Sequence, residues 1–246
     1  MIRIKAVTWN NYMRHLRAIV NFGIKFELIK TTKNPFKDAF VKEDKPPRKS
    51  FSCDQLKKID ICLSNDLQLP EILKPQWFMQ AVIYTLKYTG MRRSTLLKLQ
   101  LKDLNLEENT IAISPHNNKN HNYQEIPILS ILKPYLQKLM EMHIEKNSVP
   151  TQQFFNINLF SRATYYKTTK MTNDQLSYLF MHLSKLVQFK VSPHRFRHTL
   201  ATMLMQDPKN IYITQNLLGH SDIKVTMTYI SYNPSMLKEP LEKLFN

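Results

Sequence analysis

Apolar residues recur at helical spacing along most of this chain. The spacing predicts two helices whose N-caps are Thr8 and Ser52, and a third that starts at Pro193. Further helices are predicted over 75–88, 130–146, 172–188 and 210–218. Pro193 favours the first turn of a helix, where its missing N–H is not needed. Gly219 predicts the end of the 210–218 helix, with a positive φ.

Two segments alternate between apolar and polar residues, as half-buried strands do. They are residues 109–114 and 123–128, and the polar loop P-H-N-N-K-N-H-N lies between them. This arrangement predicts a β-hairpin with Lys119 near its tip. A short buried segment is expected at 157–160. The predicted fold class is therefore mainly α with a small antiparallel β-sheet.

The segment 42–50, K-E-D-K-P-P-R-K-S, is charged and contains two prolines. It predicts an extended linker between a small domain at 1–41 and a larger one at 51–234. The tail 235–246 contains Pro240, so we expect a short, kinked element there. Five of its twelve residues are apolar, which predicts that the tail docks on protein.

Charge narrows the choice of partner. The 246 residues carry a formal charge of +16, and residues 1–50 hold 12 Lys/Arg against 4 Asp/Glu. Such an excess predicts a polyanionic partner, with nucleic acid favoured over an acidic membrane surface. A basic helix face is often only solvated, but the excess continues beyond the first helix. The residues predicted to contact DNA phosphates are Arg14, Arg17, Lys25, Lys45, Arg48 and Lys49.

Composition argues against several other classes. The chain has two cysteines, Cys53 and Cys62, which argues against a disulfide framework and against a cysteine-rich zinc site. No apolar run approaches the ~18 residues that a membrane span needs, and the N-terminus lacks a signal-peptide core. The expected location is the cytoplasm, with no membrane partner.

Groups suited to phosphate chemistry concentrate between Ser192 and Tyr229. The segment reads S-P-H-R-F-R-H-T, then L-L-G-H-S, then V-T-M-T-Y. A guanidinium binds phosphate oxygens in bidentate fashion, and a phenol beside it is a candidate nucleophile. His194 and His198 are four apart and could instead bind a metal, but an arginine follows His194 and no third ligand is evident. Taken singly, His220 could be a turn residue and Tyr229 a core residue.

These boxes, in this order, resemble the tyrosine recombinase (phage integrase) family. The tyrosine lies nine residues after the histidine of L-L-G-H-S. Upstream, T-G-M-R-R-S at 89–94 is similar to the first arginine box of the family, with Arg92 in the catalytic place. Lys119, eight residues before Pro127, lies where the family has its β-hairpin lysine. Arg93 beside Arg92 is expected to contact the DNA backbone.

The resemblance implies a site-specific DNA recombinase or integrase of a mobile genetic element. Such an enzyme cleaves and rejoins DNA through a 3′-phosphotyrosyl intermediate, and no metal or other cofactor is expected. The catalytic residues implied are Arg92, Lys119, His194, Arg197, His220 and Tyr229. Tyr229 would attack phosphorus, and Lys119 would protonate the departing 5′-oxygen. His194 would take or steer the tyrosine proton, and His220 would donate to the phosphate.

The resemblance also implies partners. These are double-stranded DNA, further copies of the chain in a tetramer on paired DNA sites, and accessory DNA-bending proteins. Residues 1–41 resemble only the final part of the helical DNA-binding domain that precedes the catalytic domain in this family. The tail 235–246 would dock on a neighbouring protomer.

One residue departs from the pattern of the family. A glutamate usually follows the first arginine box, whereas Thr95 occupies that position here. Asp103 and Asp222 are candidates to replace the missing carboxylate. The departure keeps a non-catalytic DNA-binding protein, derived from an integrase, open as an alternative. A type IB topoisomerase-like enzyme is a second alternative, because its chemistry is similar.

Overall fold

The computed structural model describes residues 4–43, 50–64, 69–117, 122–163 and 165–229. They are mainly helical with one small antiparallel sheet, so the predicted fold class is confirmed. The helices are α1 (Ala6–Lys25), α2 (Cys53–Ser64), α3 (Gln76–Thr89), α4 (Arg93–Lys98), α5 (Lys133–Glu145), α6 (Asn173–Val187), α7 (Pro193–Leu204), α8 (Ile211–Leu218) and α9 (Ile223–Met227). The strands are β1 (Leu104–Asn105), β2 (Thr110–Ile113) and β3 (Gln124–Pro127). The chain divides into two compact units, 1–48 and 49–246.

The first unit consists of α1 and the segment that follows it. Hydrogen bonds hold this segment along the helix: Asn10 exchanges two with the backbone of Val41, and the Trp9 indole donates to the carbonyl of Ala39. The helix begins before Thr8, because the Trp9 N–H already bonds the carbonyl of Lys5. The prediction that Thr8 caps the helix was therefore wrong.

Most of the apolar residues that predicted α1 remain exposed. Tyr12 and Ile19 are 55% and 67% exposed, whereas Met13 is buried. The spacing therefore predicted the helix correctly but does not correspond to a buried face.

No helix in the described ranges is long and apolar enough to cross a membrane.

The second unit is built around α3, which is buried nearly all round and packs against α5 and α7. Apolar residues occupy most positions of this helix, as expected for a central one. Ser52 caps α2 reciprocally with Gln55, as the sequence predicted. The helices predicted at 130–146 and 172–188 correspond to α5 and α6.

The sheet has the order β1-β2-β3, and both pairs are antiparallel. Ile111 of β2 faces Ile126 of β3, and both are buried, which fixes the register. The hairpin prediction is confirmed, whereas β1 was missed because two residues are too short for an alternating pattern. Lys119 is outside the described residues, so its predicted position near the hairpin tip stays a prediction.

The two local signals that frame the site are confirmed. Ser192 caps α7 by accepting the N–H of Arg195, and Pro193 is the first residue of that helix. Gly219 ends α8 with a φ of 57°. Gly90 ends α3 in the same left-handed conformation, with a φ of 61°.

Candidate active site

A cavity of about 660 Å³ opens where α4, α7, α8 and α9 meet. Its lining includes the candidate residues Arg92, Arg93, His194, Arg197, His220 and Tyr229. These side chains come from segments more than a hundred residues apart in sequence, and folding brings them together. Their catalytic roles stay predictions until they are tested on DNA.

Arg197 is the most deeply buried cation of the group, with 5% of its surface exposed. Its Nη1 donates to the carbonyl of Gly90 (3.0 Å) and its Nη2 to the carbonyl of Leu218 (2.6 Å). Burial and the neighbouring Arg92 lower its pKa to about 10. The two carbonyl bonds fix the plane of the guanidinium, so its remaining N–H groups have defined directions.

Arg92 donates to the carbonyl of Gly219, the residue that follows Leu218. The distance from its Nη2 to that oxygen is 3.2 Å. Burial lowers the pKa of this guanidinium, and the nearby Tyr229 acts in the opposite direction. Leu218 and Gly219 belong to the end of α8, where carbonyl groups have no partner within the helix and the helix dipole is negative. Both arginines therefore donate to the C-terminus of α8, and Arg197 also donates to that of α3.

Two glycines make this arrangement possible. A Cβ on Gly90 would lie 2.9 Å from a methyl of Leu218 and 3.0 Å from one of Leu200, so at least the Leu218 side chain would have to move. The missing side chain at residue 90 therefore leaves room for these two leucines at the end of α3. Both glycines also adopt a positive φ, which glycine reaches without strain.

The two histidines of α7 form a pair. The Nε2 of His194 lies 2.7 Å from the Nε2 of His198, so one ring donates to the other. Burial and the charge of Arg197 lower the pKa of His194, which favours its neutral form. The His198 ring also lies 5.3 Å from the Tyr229 ring. In the sequence, His198 was considered as a metal ligand together with His194, and its four-residue spacing from His194 was the available signal.

His220 is positioned by α9. Its Nδ1 lies 2.8 Å from the hydroxyl of Thr226, so a neutral ring that accepts there carries its proton on Nε2. Burial, Arg197 and Arg92 lower the pKa of His220 to about 4. The lowered pKa favours the neutral form of His220 at physiological pH. Sequence reasoning missed Thr226.

Tyr229 follows α9 and is 5% exposed, in a cluster with Ala201, Met205 and Leu218. Its ring is nearly parallel to that of His220, with centroids 6.2 Å apart and planes 7° apart. Its charged form would raise the pKa of both Arg92 and Arg197.

Thr95, which stands where the family usually has a glutamate, bonds a residue that does not line the cavity. It is buried in α4, and its hydroxyl donates to the carbonyl of Asn117 at 3.4 Å, which connects α4 to the hairpin loop. The proposed substitutes have other partners. Asp103 accepts the N–H of Gln100, and Asp222 caps α9. Neither carboxylate lines the cavity, so the described residues give no support to either as a replacement.

Only some of the residues predicted to contact DNA lie within the described ranges. Arg14, Arg17 and Lys25 are exposed on α1, and Arg93 is exposed at the start of α4. Arg14 also bonds Asn11 at 2.8 Å. The remaining candidates lie outside the described residues, as does the tail; they are Lys45, Arg48, Lys49 and 235–246.

The sequence pattern of the phage integrase family matches residues 70–236, which is more than half of the chain. The chain therefore belongs to the phage integrase family. It is 33% identical over 99% of its length to a Pseudomonas syringae protein, and 32% identical over 91% to a Pseudomonas aeruginosa protein. Both relatives are provisionally named tyrosine recombinase XerC. The chain covers 52% and 54% of them, so it spans about half their length.

Solved structures show the same fold. An integrase of the transposon Tn1549, in complex with transposon right end DNA, superposes with a TM-score of 0.73 at 23% identity, covering 99% of this chain and 81% of that one. A λ integrase dimer bound to a core site gives 0.65 at 17% identity, covering 92% and 74%. The recombinase XerH bound to a palindromic difH substrate gives 0.70 at 20% identity, covering 99% and 69%.

Proposed function

We propose that this chain is the catalytic part of a site-specific DNA recombinase or integrase. The observation that carries the proposal is the convergence of two oriented guanidiniums, two imidazoles and one phenol around a single cavity. Membership of the phage integrase family and the names of the relatives support it. The complexes of structural neighbours with DNA support double-stranded DNA as the substrate.

The reaction is a transfer of a phosphoryl group to tyrosine. The oxygen of Tyr229 attacks the scissile phosphorus, the bond to the 5′-oxygen breaks, and a 3′-phosphotyrosyl link forms. His194 takes the phenol proton, and Lys119 gives a proton to the 5′-oxygen. The 5′-hydroxyl of another strand then attacks the link, so rejoining needs no external energy source.

Charge stabilisation falls to the arginines. Carbonyls take two N–H groups of Arg197 and one of Arg92, out of the five that each guanidinium carries. Among the described residues, other N–H groups therefore remain to bind the non-bridging oxygens. His220 adds a neutral donor through Nε2. Fixed cations here supply the positive charge that metal ions supply in many phosphoryl transfers.

We also propose the organisation predicted from the sequence. Residues 1–41 form part of a DNA-binding domain, 42–50 a linker and 51–234 the catalytic domain. Four copies assemble on paired DNA sites, the tail 235–246 docks on a neighbouring protomer, and accessory DNA-bending proteins assist. The protein acts in the cytoplasm, on the DNA of a mobile element.

Covalent capture tests the proposal. The protein is incubated with a pool of nicked duplexes of randomised sequence, and DNA that stays attached in denaturing detergent is sequenced. We expect recovery of a defined cleavage site and, by mass spectrometry, an adduct on Tyr229. Tyr229→Phe should lose the adduct by about 10⁴-fold or more while binding is unchanged, because the nucleophile alone is removed.

Tyr212→Phe is the matched control, because Tyr212 lies on α8 and is 68% exposed. It should cleave like the wild type. An adduct that persists in Tyr229→Phe would overturn the assignment, and the lack of any adduct would favour the non-catalytic DNA-binding protein. Relaxation of supercoiled DNA that lacks the recovered site would favour the topoisomerase-like alternative. A recombinase, in contrast, is expected to exchange strands only between two DNA molecules or segments that both carry the recovered site.

A further inference from the structure

The end of α8 presents a row of carbonyl groups, and each has a partner from elsewhere. The carbonyls of Leu218 and Gly219 accept from Arg197 and Arg92, as described above. The carbonyls of the two preceding residues, Asn216 and Leu217, accept from one side chain, Gln124. Its Nε2 lies 2.6 Å from the first and 2.9 Å from the second.

Gln124 reaches this helix from the sheet. It is the first residue of β3, and its half-buried side chain shares a face with Ile126, whereas Glu125 points to the opposite, exposed face. The amide thus joins two elements that are 92 residues apart in sequence. Through this amide, the hairpin is hydrogen-bonded directly to the carbonyls at the end of α8.

Gly219 accommodates the same amide. A Cβ at this position would lie 3.1 Å from Oε1 of Gln124 and 3.8 Å from Nη1 of Arg92. The turn after α8 therefore lies between the amide and the guanidinium. The next residue is His220, whose N–H donates to the carbonyl of Gln215 and whose carbonyl accepts from the Gln215 side chain.

We propose that Gln124 is a positioning residue for the cleavage reaction proposed above, on which this inference rests. It fixes the end of α8, and through it the directions of Arg92, Arg197 and His220. A displacement of about 1 Å in such groups costs on the order of 100-fold in rate. Gln124 is not among the residues that line the catalytic cavity, and its effect passes through the turn that it holds.

The test compares Gln124→Ala with Glu125→Ala, a truncation at the neighbouring position on the opposite face of the same strand. The full chain and the duplex recovered by covalent capture are used. Single-turnover adduct formation should fall about 10- to 100-fold in Gln124→Ala, with DNA affinity within about twofold of the wild type. Glu125→Ala should match the wild type in both.

A second readout does not depend on activity. Burial and the two arginines hold the pKa of His220 near 4, so a loosened turn should raise it toward 6.5. The His220 ring is titrated by NMR in each variant, with thermal unfolding measured in parallel. Gln124→Glu keeps the size of the side chain but cannot donate as a carboxylate, so it should behave like Gln124→Ala, and it serves if the alanine variant fails to fold.

The proposal is overturned if Gln124→Ala cleaves like Glu125→Ala. It is equally overturned if cleavage falls while the His220 titration stays where it is in the wild type, because Gln124 would then act elsewhere. If the wild type forms no adduct, the proposed function fails. The His220 titration still decides whether Gln124 holds the turn.

Discussion

The cations of the two units are held in opposite ways. In the second unit, Arg197 is buried and bonded to two carbonyls, and Arg92 is half-buried and bonded to a third. In the first unit, Arg14 and Arg17 are exposed on one side of α1. Arg14 approaches Glu43 only at 3.9 Å, a distance that contributes little for exposed side chains.

This difference separates two uses of positive charge. A buried guanidinium with a fixed plane can direct its N–H groups at the oxygens of one phosphate, and the cost is desolvation, seen as a lowered pKa. An exposed cation on a helix attracts any nearby phosphate and is screened by salt. We therefore expect the buried cations to determine the rate of cleavage and the exposed ones to contribute to affinity.

The largest effect is expected at Arg197. Arg197→Lys keeps the charge but replaces the planar group that bonds both carbonyls, so cleavage of the recovered duplex should fall about 100- to 1000-fold. The melting temperature should also fall, because two buried carbonyls lose their donors. Single-turnover cleavage and thermal unfolding measure the two effects.

Arg17→Lys is the same chemical change on α1 and should alter neither quantity measurably. If both variants lost cleavage equally, the contrast between oriented and solvated cations would be wrong. A normal cleavage rate for Arg197→Lys would show that the guanidinium plane is not needed.

A smaller effect is expected from α1. Replacing Arg14 and Arg17 by Gln should weaken DNA binding mainly at low salt. The slope of log K against log salt should become shallower by about 0.9 for each DNA phosphate that the variant no longer neutralises. Binding titrations at several salt concentrations measure this slope.

The control removes the same charge elsewhere. Lys138 lies on α5, and Lys146 is the first residue after that helix. Both are exposed, and neither lines the catalytic cavity. Replacing both by Gln should change the slope less. Equal slopes for the two double variants would mean that α1 is only a solvated face.

The sequence predicted the local elements of the site well because their signals are local. Pro193 after Ser192 marks the start of α7, and Gly219 marks the end of α8. The hairpin strands alternate clearly, and their predicted pairing is confirmed. The boxes also indicated which residues meet, because they resemble a family, and the structure places the described ones around one cavity.

Contacts between distant segments could not be predicted. Arg195 and Arg197 are two residues apart on α7, yet Arg195 stacks over Phe51 at 4.2 Å while Arg197 turns into the site. Helical periodicity alone does not indicate which of the two arginines faces the site. Arg197 was chosen because of the resemblance to the family. The bonds of Gln124 to α8 join residues more than ninety positions apart, and no spacing rule indicates them. Thr8 failed as a cap because the helix already begins before it.

The central claim is that Arg92 and Arg197 neutralise the charge of one scissile phosphate. The most direct measurement is cleavage by Arg92→Ala of a duplex whose scissile phosphate is replaced by an uncharged methylphosphonate. Arg92 is suited to this test because it is less buried than Arg197 and bonds one carbonyl. Arg92→Ala should cleave the methylphosphonate at least about tenfold faster than the ordinary duplex, because the missing charge is no longer needed. Equally poor cleavage of both duplexes would contradict the central claim.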